Sequence, residues 1–189
     1  MSEIDFLSIA ELGTRYRRKA LSPVEVTRRA LARIKALDGK LNAFITLLET
    51  EALAQAAAAE RELAAGIDHG PLHGVPVAIK DLIAVGGAPT TFASRAGSPQ
   101  HPTEDAALVR NLRKAGAVLI GKTNLLEYAY GAVHPEIGQT NNPGIQRAPP
   151  AAPAAAPRRG WPRASASGRS APIRGDRSAS RPPIAGWWG

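Results

Sequence analysis

At Ile145 the chain changes composition, and that change limits how much of it can fold. Up to Gly144, apolar and charged residues are interleaved as in ordinary globular proteins. Residues 145–189 are instead built almost entirely from Ala, Pro, Arg, Gly and Ser. They hold 8 of the 24 basic residues, every one an arginine, and 1 of the 16 acidic ones. The net charge of +8 therefore belongs to the tail, and the first 144 residues are nearly neutral. A segment with so little apolar surface cannot offset the entropy of ordering its backbone. The reading is a folded unit over 1–144, long enough for a core of its own, and a disordered low-complexity tail over 145–189.

Several classes drop out early. No stretch reaches the roughly 18 to 20 consecutive apolar residues of a membrane span. The opening "MSEIDFLSIAELG" places acidic residues where a secretory signal needs basic ones. With no cysteine, thiol catalysis, disulfides and cysteine-bound metals are excluded. The expected setting is the cytoplasm.

Local signals give the order of elements. Ser8-Ile-Ala-Glu11 has capping-box spacing, and Ser22-Pro23-Val24-Glu25 repeats it with proline at the first helical position. The helix that follows carries Val26, Ala30, Ile34 and Leu37 on one stripe and is expected to stop near Gly39. "LNAFITLL" reads as a short extended or mixed segment, and "ETEALAQAAAAERELAAG" as a strong helix closed by Gly66. Val75, Val77 and Ile79 alternate at strand period. Thr103 is placed to cap a helix through "EDAALVRNLRKAG", with an apolar side of Ala107, Leu108, Val109, Leu112 and Ala115. "AVLIG" reads as a buried strand, and "TNLLEYAYG" as the start of another helix. Strands alternating with helices behind a helical arm predict an α/β fold with a mixed or parallel sheet.

Three sets of residues invite a chemical reading. Gly116 to Thr123 matches the phosphate-loop pattern GxxxxGK[ST], but its four middle residues suit a buried strand, not an open cradle of amides. The histidines His69, His73, His101 and His134 do not combine helical spacing with a third ligand nearby. His69 and His73 lie in a Gly/Pro turn, where hydrogen bonding is the ordinary role, so neither metal nor cofactor is expected. Lys80 follows Val75, Val77 and Ile79, and the alternation is read as placing it on their apolar side. A lysine there would be desolvated and could serve as a base. The alternative is a strand-end lysine that curls to water or pairs with Asp81, and spacing alone favours that alternative.

"GPLHGVPVAIKDLIAVGGAPTT" followed by "AGAVLIGKTNLLEYAYG" closely resembles the amidase signature family, over about residue 5 to Pro143. The resemblance implies a helical arm and the start of a mixed β-sheet covered by helices. It also implies a hydrolase mechanism in which a serine attacks an amide carbonyl. A second serine, on a cis peptide bond, relays the nucleophile's proton to a buried lysine, and Lys80 stands at that lysine's position. Backbone amides of a glycine-rich stretch would hold the oxyanion. The implied substrate is a small-molecule amide. In the glutamyl-tRNA(Gln) amidotransferase branch it is glutamine as ammonia source, with partner subunits.

Both serines belong to a "GGSSGG" loop and a later "GGS.R.P" motif, which this chain lacks. Ser165, Ser167, Ser170, Ser178 and Ser180 have other flanks and receive no role. Lys80 alone cannot form an acyl-enzyme, so the chain is expected to be an inactive N-terminal part of such an enzyme. Poor solubility or a partly disordered state is expected as well, because the "AVLIG" strand and the Lys80 strand would lose sheet neighbours.

The tail itself reads as a GC-rich gene translated out of frame. Restoring one T before the codon for Gly144 lets residues 144–147 become Trp-Asp-Pro-Ala-Arg, completing "NNPWDPAR". The same shift recodes "PPAAPAAAPRRGWPRA" to begin "GGSSGGSAA", and "APIRGDRSASRPPIAGWWG" to "TDSGGSIRIPAAHCGVVG". The competing reading is a basic arm that touches phosphates, with Trp161, Trp187 and Trp188 stacking on bases. Tryptophan suits a solvated arm poorly, whereas TGG codons arise naturally from a shifted GTG run. Nucleic acid is therefore not an expected partner.

Overall fold

The computed structural model describes residues 3–142. A 3-10 turn, Glu3–Phe6, leads into helices α1 (Ile9–Arg17) and α2 (Pro23–Leu41). Strand β1 (Phe44–Leu47), helix α3 (Glu49–Ala64), strand β2 (Pro76–Lys80), helix α4 (Ala107–Lys114) and strand β3 (Val118–Thr123) follow. The expected tail over 145–189 lies outside the described residues.

The caps were mostly legible. Ser8 closes a complete capping box with Glu11. At α2 the Ser22 hydroxyl accepts from the amides of Val24 and Glu25, but its partner carboxylate is Glu60 of α3 and not Glu25. The helix does not stop at Gly39. It continues to Leu41 and ends on Asn42 at φ 51°, because asparagine tolerates the left-handed cap. Its buried face is Pro23, Val26, Thr27 and Leu31, and Leu37 stays exposed. Helix α3 closes as expected, with Gly66 at φ 83° and the Ile67 amide returning to the Glu62 carbonyl.

Two expected helix starts are corrected. Thr103 does not cap α4, which begins after Ala106 without a side-chain cap. Asp105 is used differently: its carboxylate takes the Gly86 amide at 2.7 Å and Arg113 Nε at 2.7 Å, stitching the turn after β2 to α4. Of the proposed apolar side, Val109 is fully buried, while Leu108 is 51% exposed. "TNLLEYAYG" makes only a 3-10 turn at Glu127–Ala129, because Tyr128 takes φ 52° and breaks the helical path.

Asp105 supplies a pH test. Burial alone would raise its carboxyl, but the Gly86 amide and then Arg113 outweigh that and hold it below the ordinary value. A depressed carboxyl stabilises the fold fully above its unfolded value, about 3.9, and loses that contribution as pH falls through the folded one. In denaturant melts, the wild-type advantage over Asp105→Asn should be constant above about pH 5 and shrink as pH drops below about 4. A constant difference down to about pH 2 would remove the linkage.

The sheet is mixed, in the order β1-β3-β2, with β1 antiparallel and β2 parallel to β3. The "AVLIG" strand therefore has neighbours on both sides, contrary to the expectation that it loses them. Open edges fall instead on β1 and β2 among the described residues. One face packs Val118 and Ile120 on Leu31, Ala52 and Ala56 of α2 and α3. The other packs Leu119 and Ile79 on Val85, Ala88 and Val109. A third cluster of Leu12, Tyr16, Val26 and Val75 ties the helical arm to the start of β2.

Candidate active site at the carboxyl ends of the parallel strands

Strands β2 and β3 run parallel, so their carboxyl ends emerge together, where α/β sheets ordinarily hold ligands. Their register carries an irregularity: Val77 is opposite Leu119, but Ala78 is opposite Gly121. That bulge reverses which way the end of β3 faces. Simple alternation from Val118 and Ile120 would send Lys122 toward α2 and α3. The bulge instead pairs Lys122 with Ile79, on the face covered by α4. Gly121 is required there, since a Cβ would lie 2.5 Å from the Thr46 carbonyl oxygen of β1.

Lys122 and Asp81 are both fully buried. Lys122 Nζ lies 3.0 Å from Asp81 Oδ1, donates to the Pro89 carbonyl at 2.9 Å, and reaches the Thr90 hydroxyl. The contact with Oδ1 is an ion pair without hydrogen-bond alignment. Asp81 Oδ2 accepts the Thr91 amide at 3.0 Å and the Thr91 hydroxyl. The backbone joins in, as the Asp81 amide donates to Thr123 O and the Phe92 amide to Asp81 O. Lys122 is thus a buried structural cation on a strand, and no phosphate cradle surrounds it among the described residues. The sequence match to a phosphate loop is accounted for by a bulged strand.

Asp81 also holds a strained strap. Phe92 and Ala93 follow its partner Thr91 at φ 56° and 49°, each costing on the order of 1 kcal/mol. The Phe92 ring stacks on Tyr128 at 5.4 Å, the Tyr128 amide donates to Phe92 O, and Ser94 Oγ donates to Glu127 at 2.6 Å. Consecutive left-handed residues persist because both flanks are fastened.

Lys80 is the last residue of β2, and it is exposed. This corrects its expected placement on the apolar side of the strand. A period of two continues Val75, Val77 and Ile79 to Asp81, and puts Lys80 on the other face with Pro76 and Ala78. Pairing with Asp81 is also corrected, because Lys122 occupies that carboxylate. Leu82 and Ile83 both return their amides to Lys80 O, so the chain turns immediately after it. Lys80 ends the strand opposite Thr123, its register partner on β3, and has no polar side-chain partner among the described residues. The residues that sequence reasoning missed here are Asp81 and Lys122. Asp81 had a signal, an acid next in line after three alternating apolar residues, whereas Lys122 had none, because the bulge that turns it inward depends on the strand alongside.

The histidines sort differently. His73 is buried, and its Nε2 lies 3.0 Å from Glu62 Oε2 of α3. His69 Nε2 lies 3.2 Å from the same oxygen. His101 and His134 are remote in sequence from this cluster and do not join it.

An amidase family profile matches residues 25–149, which spans the strands, the strap and both lysines. This chain belongs to the amidase family. It is 48% identical over 143 residues to a glutamyl-tRNA(Gln) amidotransferase subunit of Geobacter metallireducens, covering 75% of this chain and 29% of that protein. It is 38% identical over 147 residues to an amidase of Pseudomonas putida, covering 76% and 30%. The native peptide amidase of Stenotrophomonas maltophilia superposes with a TM-score of 0.64 at 40% identity, covering 68% of this chain and 26% of that one. The amidase-family chain thus spans about three-tenths of the length of the curated relatives it matches. No helix among its described residues is long and apolar enough to cross a membrane.

Proposed function

We propose that this chain carries the lysine arm of an amidase-type centre that hydrolyses amide C–N bonds, with Lys80 as its base. The observation that carries the reading is the division of labour between two adjacent residues. Asp81 is taken up by Lys122 and the strap, while Lys80 ends one strand of a parallel pair with its amine unengaged. A lysine becomes a base only when its surroundings disfavour the ammonium form. Lys80 is exposed in this chain, so further chain must supply that cover.

In the proposed reaction the neutral Lys80 amine accepts the nucleophile's proton through an intervening hydroxyl. The serine oxygen adds to the amide carbonyl, the C–N bond breaks, and the departing amine takes up the proton. Water then cleaves the acyl-enzyme by the reverse relay. The two serines this requires are read in the neighbouring frame downstream of Asn142, as "GGSSGG" and "GGSIRIPA". The end of the family match near residue 149, just past the change of composition, supports a one-base gap at that point. As written, the chain is proposed to be inactive.

A second branch is favoured by the 48% identity to a glutamyl-tRNA(Gln) amidotransferase subunit. There the amide is glutamine, the product is ammonia, and partner subunits bind the chain. Resequencing the DNA from the codon for Asn142 past that for Gly189 tests the frame. A one-base gap with both serine motifs in the neighbouring frame is expected, and a meaningless neighbouring frame would sink the reading. If the gap is found, the frame-restored protein separates the branches: the simple amidase hydrolyses small amides alone, whereas the amidotransferase component releases ammonia from glutamine only with its partners.

A further inference from the structure

We propose that Glu62, His69 and His73 form a binding site for a divalent cation of the Zn2+ class, apart from the amidase centre. One carboxylate oxygen, Glu62 Oε2, lies 3.0 Å from His73 Nε2 and 3.2 Å from His69 Nε2. The three ligand atoms all fall within 4.8 Å of one another. Zinc bonds of about 2.0–2.2 Å at tetrahedral angles set ligand atoms roughly 3.3 Å apart. Two of the three edges are already within a few tenths of an ångström of that value, and the third closes by rotating the half-exposed His69 ring.

The scaffold is preformed. Gly66 ends α3 and turns the chain back, so that the segment after it passes over Glu62 in the helix's last turn. The His73 ring sits against Gly116, where a Cβ would come within 2.4 Å of Cδ2, so no side chain is tolerated there. The His73 side chain is 1% exposed, while those of Glu62 and His69 are each 40% exposed. The site thus has a buried anchor and an open side, leaving a fourth position for water. Two imidazoles and a carboxylate suit zinc and its neighbours in the first transition row better than Mg2+ or Ca2+.

An outer carboxylate is also near, within a short shift of hydrogen-bond distance. A metal on His73 Nε2 requires the ring proton on Nδ1, and ligating histidines ordinarily donate that proton to a carboxylate or carbonyl. Asp68 Oδ1 lies 3.9 Å from His73 Nδ1, and Asp68 is itself held by Arg17 and the Gly70 amide. Without metal, Nδ1 accepts the His69 amide at 3.2 Å. Binding therefore moves the His73 proton from Nε2 to Nδ1 and exchanges the His69 amide for Asp68 as its partner. Because this turn feeds β2, an occupied site would clamp the end of α3 to the strand that ends in Lys80.

The test is titration of the full chain, stripped with chelator, with Zn2+ against a chromophoric competitor. Co2+ serves as a second, spectroscopic probe. One equivalent of Zn2+ per chain is expected, with the visible bands of four-coordinate Co2+. Affinity should fall about 10-fold or more in His69→Ala and in Glu62→Gln, and by at least a few-fold in Asp68→Asn. His101→Ala and His134→Ala should bind as wild type. Metal-free melts of the His69 and Glu62 variants that match wild type exclude misfolding as the cause. Absence of binding at millimolar Zn2+, or binding unchanged in His69→Ala and Glu62→Gln, would overturn the proposal.

Discussion

Asp81→Ala is expected to lower the stability of this chain by about 3–5 kcal/mol, the cost of breaking a buried pair by removing one partner. The substitution leaves the Lys122 ammonium fully buried with only the Pro89 carbonyl and the Thr90 hydroxyl to solvate it. It also strips the Thr91 amide of its acceptor and frees the strap at Phe92 and Ala93. A domain has only about 5–15 kcal/mol in total, so this is a large share of the fold's stability. The urea midpoint, followed by circular dichroism, should fall by roughly 2 M for a slope near 2 kcal/mol per M. Asp81→Asn with Lys122→Met removes both charges but keeps an oxygen for the Thr91 amide. Replacing a buried pair by uncharged groups of similar volume is often neutral, so the double variant should recover more than half of the loss. A loss under about 1 kcal/mol in Asp81→Ala, or a double variant no better than it, would mean the pair does not hold the strand ends together.

Lys80→Ala carries the second large effect, and it separates chemistry from folding. In the present chain the Lys80 side chain is exposed and takes no polar partner among the described residues. Its removal should therefore change the melt by no more than about 0.5 kcal/mol. In the frame-restored protein, where the serines are present and the strand mouth is covered, the same substitution removes the proposed base. Positioned acid–base groups contribute about 10²- to 10⁴-fold, so kcat on a simple amide should fall by at least about 10²-fold with the fold intact. The present chain should show no turnover at all. Turnover by the present chain that disappears in Lys80→Ala would contradict the proposed need for the missing serines. Undiminished turnover by the restored Lys80→Ala protein would remove Lys80 from the mechanism.

The sequence alone determined what could be decided by short-range rules. Ser8 with Glu11, Ser22 before Pro23 and Gly66 after α3 fixed helix ends, because caps depend on residues three or four positions apart. The family resemblance was carried by "GVPVAIKDL" and "GAVLIGKTN", whose glycines and alternating apolar residues encode strand and turn locally. The change of composition near Gly144 was legible because composition needs no neighbour to interpret it. What only the tertiary structure decided were the facing directions and partners. A bulge opposite Ala78 turned Lys122 inward toward Asp81, and no one-dimensional pattern shows which strand a residue will lie opposite. Glu62 met His69 and His73 because a helix end folded back on itself. Thr103 lost its capping role because Asp105 was tied to Gly86, nineteen positions away. Spacing along a chain fixes conformation over a turn or two, whereas burial and charge pairing are set by whatever the folded chain brings alongside.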